Sequence, residues 1–331
     1  VGERAVCPDR SDILLSIAIP TYNRSNYLEQ CLGHLFRQAA GYGGQVEVIV
    51  SDNCSTDGTA EVVRLYREEG HDFRYVRNDE NIGVDRNFAQ CFTLARGKYV
   101  LLFGDDDLFL DGAIDRIMGM LTGHDYGVLY INSYGFNDDY RLERPAQGSR
   151  GSNVYLTPQA FIERTNFWLT FASGNIVNKS LVPAEMDPFE FVGTNLVQLN
   201  WVFTALFRAP ANAVVEEYLV AYKMSNTGGY KLCQVFGEHM NAIFDAFVAR
   251  GYDRRPFDVI NRKLLQSFFP NLIVITRKQT GGFSFEAEDY YSALSRVFSG
   301  YAAFWLVTAP VIVLPLRLAK LWAKIVAKVL G

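Results

Sequence analysis

Histidine and cysteine are scarce in this 331-residue sequence, and neither is clustered. His34, His71, His124 and His239 lie far apart, and Cys7, Cys31, Cys54, Cys91 and Cys233 form no C-x-x-C pair. That spacing excludes a zinc ribbon, a thioredoxin-like redox motif and a disulfide framework. The cysteines read as reduced, buried thiols of a cytosolic protein, and the histidines as structural or exposed. A basic excess is also missing. Lys and Arg total 32 against 36 Asp and Glu, a net charge of −4, so the chain as a whole does not attract polyanions and nucleic acid is not an expected partner. Any basic patch must be local. The opening segment VGERAVCPDRSDILL has no apolar run followed by a small-residue cleavage site, which argues against a signal peptide and for a catalytic part that stays in the cytoplasm. No repeat of fixed period occurs. Apolar residues, by contrast, make up 49% of the chain and aromatics 14%, enough for one enlarged domain or two.

From residue 14 to about 133, short β-branched runs alternate with longer amphipathic stretches, the pattern of βαβ units. Residues 14–20 (LLSIAIP) predict a buried strand. Residues 26–38, with Tyr27, Leu28, Cys31, Leu32, Leu35 and Phe36 at helical spacing, predict the helix after it. Residues 46–51 predict a second strand ending in Asp52, and Asp57 is placed to cap a helix running to about residue 69. A third strand (73–76), a helix (85–95) and a fourth strand (98–103, KYVLLF) follow, the last leading directly into Gly104-Asp105-Asp106-Asp107. Near-continuous apolar strands joined by helices imply a mostly parallel sheet covered on both faces, with ligands outside the carboxyl ends of its strands. Pro20-Thr21-Tyr22-Asn23, Asp52, the 81–83 loop and the acidic triplet all fall at such ends.

Beyond residue 133 the pattern weakens. Residues 137–153 read as a loop or crossing, 158–164, 196–208 and 237–249 as helices, 173–177 and 214–222 as strands, and 258–277 as a helix interrupted at Pro270. The organisation expected is a nucleotide-binding half (12–135), an acceptor-side half of the same domain (136–225), a helical region (226–296) and a tail (297–331).

Three consecutive carboxylates are costly to hold together unless a cation or hydrogen-bond donors offset their repulsion. Mg²⁺ or Mn²⁺ suits such hard oxygen ligands, binding through one or two carboxylates plus substrate phosphates. A solvated acidic turn is the plainer reading of the triplet alone. Its neighbours favour the metal: Asp52 is placed to accept from the edge of a base, and Tyr22 offers a stacking face.

The segments SIAIPTYNRSNYLEQCL, EVIVSDNCSTDGT, RNDENIGVDRNFAQC and GKYVLLFGDDDLF, which mark out a span from residue 15 to 121, about a third of the chain, resemble in order and spacing the nucleotide-binding half of the family 2 inverting glycosyltransferases. The resemblance implies the GT-A fold, a Rossmann-like α/β sheet flanked by helices, and a nucleotide-sugar donor. It implies that Pro20, Thr21, Tyr22 and Asn23 border the base, that Asp52 binds its edge, and that the 81–87 segment, with Asn81, Gly83, Arg86 and Asn87, closes over the nucleotide. The family's D-x-D motif falls on Gly104-Asp105-Asp106 in ungapped alignment, with glycine in place of the first aspartate. Asp106 then matches the metal ligand, Asp105 lies near the ribose, and Asp107 supports the metal shell or caps the next turn; with a gap, Asp105 and Asp107 become the pair. The Glu-Asp pair that supplies the base in many members is missing. Glu190, Asp187 and Glu185 are the candidates, in that order.

Residues 297–316 carry no charge, the length of a spanning helix, but Pro310 and Pro315 interrupt them. The following LRLAKLWAKIVAKVL sets Arg317, Lys320, Lys324 and Lys328 on one face with apolar residues around the other, as in a helix lying on an anionic membrane surface. Together with the resemblance, this implies a peripheral protein at the cytoplasmic face of the plasma membrane that uses a polyisoprenyl-diphosphate-linked saccharide as acceptor in O-antigen or other surface-polysaccharide synthesis. The G-D-D-D form resembles that of deoxyhexose transferases. Two other readings stay open: a catalytically silent binding module, and a nucleotidyltransferase, which would need a glycine-rich loop where Thr21-Tyr22-Asn23-Arg24 stands.

Overall fold

The computed structural model of the chain describes residues 13–146, 149–224, 229–278 and 285–330; Cys7 and most of the opening segment read above lie outside them. The chain divides into two compact units. One comprises residues up to 157, 169–192 and 197–223, and the other 158–168, 193–196 and 224 onward.

The first unit is built on a single nine-stranded sheet of order β3-β2-β1-β4-β8-β6-β9-β5, with β7 also on β9. Its strands are β1 (Leu15–Thr21), β2 (Val46–Asp52), β3 (Arg74–Arg77), β4 (Tyr99–Leu102), β5 (Leu108–Phe109), β6 (Tyr126–Phe136), β7 (Ser152–Tyr155), β8 (Asn175–Asn178) and β9 (Ala211–Lys223). Helices α1 (Ser25–Ala39), α2 (Thr59–Glu68), α3 (Val84–Leu94) and α4 (Ala113–Leu121) connect them, and, after α5 (Pro158–Thr165) of the second unit, so does α6 (Leu199–Arg208). β1 is central, parallel to β2 on one side and β4 on the other, and Leu15, Ile17, Ala18 and Ile19 are all fully buried. Burial on both faces is why its sequence reads as a near-continuous apolar run, broken by Ser16, whose hydroxyl donates to Glu47 Oε2 (2.6 Å).

The parallel character expected holds from β3 to β4. Beyond it the sheet is mixed: β8 enters antiparallel to both β4 and β6, while β6 and β9 run parallel. Their register shifts near Asn132, whose side-chain amide donates to the Glu216 carbonyl at 2.9 Å. β7 falls in the stretch read as a loop. As an edge strand with mostly exposed side chains it has no buried face to impose a period of two. It is held by its ladder to β9, by the Gly151 N–H donating to Glu217 Oε2 (2.8 Å) and by Asn153 Nδ2 donating to Glu216 Oε1 (2.9 Å).

The helices cover the sheet with the expected stripes; α1 buries Leu28, Cys31, Leu32, Leu35 and Phe36. Asp57 caps two helices at once. Oδ1 accepts from the Thr59 N–H at the start of α2 (3.1 Å), and Oδ2 from the Ser25 N–H at the start of α1 (2.8 Å). Partial burial pushes its pKa up, but these bonds and that from the Thr59 hydroxyl outweigh it and leave the carboxyl below its ordinary value.

In the second unit α7 (Met240–Ala249), α8 (Arg255–Lys263), α9 (Phe269–Arg277), α10 (Tyr290–Phe298), α11 (Ala309–Val313) and α12 (Leu316–Leu330) enclose a phenylalanine-rich core that includes Phe244, Phe257, Phe269, Phe298 and Phe304. The interruption expected at Pro270 takes the form of a π-helical turn, Leu264–Phe268, and a second such turn, Phe304–Thr308, precedes Pro310. Wider turns of this kind accommodate a residue that has no N–H and whose ring crowds the carbonyl four residues back, so the helical path continues instead of ending. Among the described residues no helix is long and apolar enough to cross a membrane.

Gly127 on β6 leaves no room for a side chain: a Cβ there would lie 2.5 Å from both the Ala205 carbonyl oxygen and Ala209 Cβ. Gly119 on α4 faces open space. Gly127→Ala is expected to destabilise by about 1–3 kcal/mol, and Gly119→Ala to stabilise by roughly 0.5–1 kcal/mol. Denaturant midpoints test both, and a Gly127→Ala midpoint equal to the parent's would contradict the packing described.

Candidate active site

The register of β1 with β2 sets Thr21 beside Asp52, and β4, on the other flank of β1, leads into the turn Gly104–Asp107. The sheet thus gathers the predicted polar clusters along one rim. In the turn the Asp107 N–H donates to the Gly104 carbonyl (3.2 Å), and the Asp107 carboxylate parts from those of Asp105 and Asp106, which share one guanidinium. Asp105 turns toward β1, accepting from the Thr21 hydroxyl on Oδ2 (2.7 Å) and from Arg24 Nη1 on Oδ1 (3.1 Å). Asp106 meets the same guanidinium at 3.2 Å and is the most exposed of the two carboxylates paired with it. Asp107 turns inward, buried, where the Ser173 side chain and the Lys223 backbone N–H bond to it. Ser173 also accepts from the Gly104 N–H at 2.8 Å, so a single hydroxyl ties both ends of the turn to the sheet.

This packing gives a reason for glycine at position 104. A Cβ there would lie 2.8 Å from Asp107 Oδ2 and 3.0 Å from Asp106 Oδ1, so an aspartate at this point would contest space and charge with its own neighbours. Burial pushes the Asp105 pKa up, the Arg24 guanidinium opposes it and Asp106 adds to it, leaving Asp105 at about 6. Burial, and then repulsion from Asp106, raise Asp107 well above the carboxylate range despite its bonds to Ser173 and Lys223. Burial lowers Arg24, but Asp105 and Asp106 more than compensate, so its pKa rises.

The flanking loops are stitched together by asparagines. Asn23, with a left-handed φ of 52°, donates its N–H to Ser55 Oγ (2.9 Å) and accepts from the Thr56 N–H on Oδ1 (2.7 Å). Asn53 donates to Asn81 Oδ1 (2.8 Å), while its own oxygen accepts from Asn78 (3.1 Å) and from the Ile82 N–H (2.9 Å). Gly83 enters α3 at φ 84°, a conformation that favours glycine, and its N–H returns to Asn81 Oδ1 at 2.9 Å.

Tyr22 is 43% exposed and Pro20 is half-buried; Asn81, Gly83 and Arg86 are exposed. Asn87 is buried, clamping β2 by accepting from the Ser51 hydroxyl (2.7 Å) and donating to the Ser51 carbonyl (3.0 Å). Asp52 is completely covered. Its carboxylate accepts from the Ser55 N–H (2.8 Å) and the Tyr75 hydroxyl (2.6 Å), with Arg77 Nε 3.7 Å away. Glu185, Asp187 and Glu190 are exposed on the segment between β8 and α6. Within it the Asp187 carboxylate accepts from the Phe189 N–H (2.9 Å), and its carbonyl from Asn200 Nδ2 (2.9 Å).

Four participants were not anticipated: Arg24, Tyr75, Arg77 and Ser173. Arg24 stands within the PTYNR run and was in view. The other three come from other strands and loops and carry no local signal. Among the described residues no three His, Cys, Asp or Glu side chains converge as a complete metal cage.

Removing the shared hydroxyl tests the turn. Ser173→Ala leaves the Gly104 N–H without this acceptor and takes a donor from Asp107, and is expected to cost about 1–3 kcal/mol of stability. Denaturant titration checks the effect; a parental unfolding free energy would remove Ser173 from the description.

Comparison with known proteins agrees with this architecture. The family model described as glycosyl transferase family 2 matches residues 16–182, just over half of the chain. A 96-residue segment is 43% identical to the abequosyltransferase RfbV of Salmonella typhimurium, covering 29% of this chain and 28% of that protein. A 139-residue segment is 30% identical to an uncharacterized glycosyltransferase, the MG025 homolog of Mycoplasma pneumoniae, covering 42% of this chain and 46% of that one. The matched segments therefore span less than half the length of these relatives. Among solved structures, S. aureus TarS 1-349 in complex with UDP-GlcNAc superposes with a TM-score of 0.62 at 18% identity, over 95% of this chain and 89% of that one, a likeness of fold. The parallel strands, the polar loops at their carboxyl ends and the acidic turn all lie within the matched span: the chain belongs to glycosyl transferase family 2.

Proposed function

We propose that the protein is an inverting, metal-dependent glycosyltransferase that moves a sugar of the deoxyhexose class from a nucleotide-sugar to a polyisoprenyl-diphosphate-linked saccharide. It acts as a peripheral protein at the cytoplasmic face of the plasma membrane, in the synthesis of O-antigen or another surface polysaccharide. The observation that carries this reading is the divergence of the acidic turn. Asp105 is held by Thr21 and Arg24, while Asp106 stays partly exposed at the strand ends. The high identity of one segment to an abequosyltransferase supports the sugar class.

Asp106, with a partly exposed carboxylate beside Arg24, fits a cation that takes the rest of its ligands from a diphosphate and water, as Mg²⁺ and Mn²⁺ do. When bound, such an ion supplies charge stabilisation for the departing diphosphate. Asp107 lies inward and supports the turn. Tyr22 offers its exposed ring to the base, and Asp105, fixed by Thr21, faces the ribose. Arg24 adds positive charge beside the diphosphate, where preorganised charge lowers the barrier most. Glu190, on the exposed turn with Asp187 and Glu185, takes the proton from the acceptor hydroxyl as it attacks the anomeric carbon, and the sugar–phosphate bond breaks on the opposite face.

Nucleoside diphosphate release from UDP-, CDP-, GDP- and dTDP-sugars, with Mg²⁺ or Mn²⁺ and a lipid-linked acceptor, tests the assignment. Asp106→Ala is expected to lower kcat at least about 100-fold, and Glu190→Gln to do so with donor binding intact. Full activity in Asp106→Ala would refute the ligand assignment; a donor that binds with metal and never turns over would favour a silent binding module.

A further inference from the structure

α12 has three faces. Ala319 and Val326, seven residues apart, are buried where the helix packs on α9 and α11. Arg317, Lys320, Lys324 and Lys328 line a second face at spacings of three and four. Leu318, Leu321 and Ile325 occupy the third, beside the cationic one, and point outward. The apolar side chains of this helix therefore do not all serve the core. Trp305, Leu306 and Val313, on the turn and helix just before it, are also outward, and all six are between 47% and 65% exposed. No Asp or Glu occurs from residue 297 onward.

The face is also fixed in place. At the end of α9, Arg277 donates from Nη1 to the Val311 carbonyl (2.5 Å) and from Nη2 to the Leu314 carbonyl (2.8 Å). These carbonyls lie at the end of α11, where no further helical N–H reaches them. The guanidinium thus holds the bend at Leu314–Pro315. Trp322 Nε1 donates to the Leu306 carbonyl (3.2 Å), tying α12 back to the preceding π-helical turn.

We propose that this surface is a preformed docking face for anionic lipid. The exposed strip from Trp305 to Ile325 enters the headgroup region, the adjoining Arg317, Lys320, Lys324 and Lys328 pair with lipid phosphates, and Arg277 sets the bend that lets both helices lie on one plane. The proposal deepens the peripheral location given above and rests on it. It commits to a bilayer because an uninterrupted cationic row alongside exposed apolar residues complements headgroup phosphates above acyl chains.

Flotation of the full chain with phosphatidylcholine vesicles, and with vesicles of equal parts phosphatidylcholine and phosphatidylglycerol, tests it. Binding is expected only, or far more strongly, with phosphatidylglycerol present. The triple variant Leu318→Gln, Leu321→Gln, Ile325→Gln, and separately the quadruple variant with glutamine at the four cationic positions, should each weaken partitioning by roughly tenfold or more. Both sets are largely exposed, so the melting temperature should hold. Arg277→Gln should weaken binding as well. Circular dichroism should show no gain of helix on adding vesicles, because the face is already built. Parental flotation in either multiple variant would overturn the docking face, and a large gain of helix would overturn its being preformed. Donor turnover on a detergent-solubilised acceptor separates the two readings: turnover without flotation sinks the docking face alone, and flotation without turnover sinks the transferase.

Discussion

Three successive carboxylates at the end of β4 repel one another, and the way that repulsion is relieved organises the rim. The turn leaves Asp105 and Asp106 sharing the Arg24 guanidinium, adds Thr21 for Asp105, and sends Asp107 inward to Ser173 and a backbone N–H. Those partners come from β1, the start of α1, the approach to β8 and the end of β9, so the turn is positioned only when the sheet is complete. Burial charges a desolvation penalty that surface turns avoid, as the raised pKa values of Asp105 and Asp107 record.

The parallel half of the fold was legible because its signals are local. β1 to β4 fall within one or two residues of their expected positions, and for β1, β2 and β4 the reason is that strands buried on both faces are apolar almost throughout. The Asp57 cap was legible for the same reason, although its second bond, to Ser25, was not. Edge strand β7 was missed because an exposed strand has no alternation to read. Arg77 and Tyr75 were missed as neighbours of Asp52 because their positions follow from the pairing of β2 with β3, which no single segment announces. The four cations and apolar residues of the last helix were visible as an amphipathic pattern. Which of its apolar residues face the core, Ala319 and Val326, and which face outward, Leu318, Leu321 and Ile325, depended on the packing of α12 against α9 and α11.

The prolines of the second unit show the same division. Pro270 and Pro310 each announce a disturbed helix, and both lie at the first turn of a helical segment that follows a π-helical one. The sequence locates the disturbance; its form depends on whether neighbours hold the chain in line. Phe269 and Phe298, in edge-to-face contact at 5.9 Å, provide such an anchor beside Pro270. Pro315, with an arginine holding the carbonyls before it, ends one helix and starts another instead.

Asp52 illustrates how a covered group can still be compatible with recognition. A carboxylate offers about four acceptor positions. The Ser55 N–H and the Tyr75 hydroxyl take one each, and Arg77 lies beside the second oxygen. Burial, with the hydrogen bond to Asp52, raises the Tyr75 pKa, so the hydroxyl stays protonated and the carboxylate keeps its donor. A base N–H arriving at this oxygen would displace the phenol rather than desolvate a free charge. The desolvation has already been met in folding, and what remains is the difference between two hydrogen bonds, on the order of 1 kcal/mol. A donor-bearing base edge can make that exchange, whereas an acceptor-only edge would leave the carboxylate facing another lone pair. Under the proposed function, covering Asp52 with a tyrosine would therefore keep the carboxylate satisfied and leave a bias toward bases that donate.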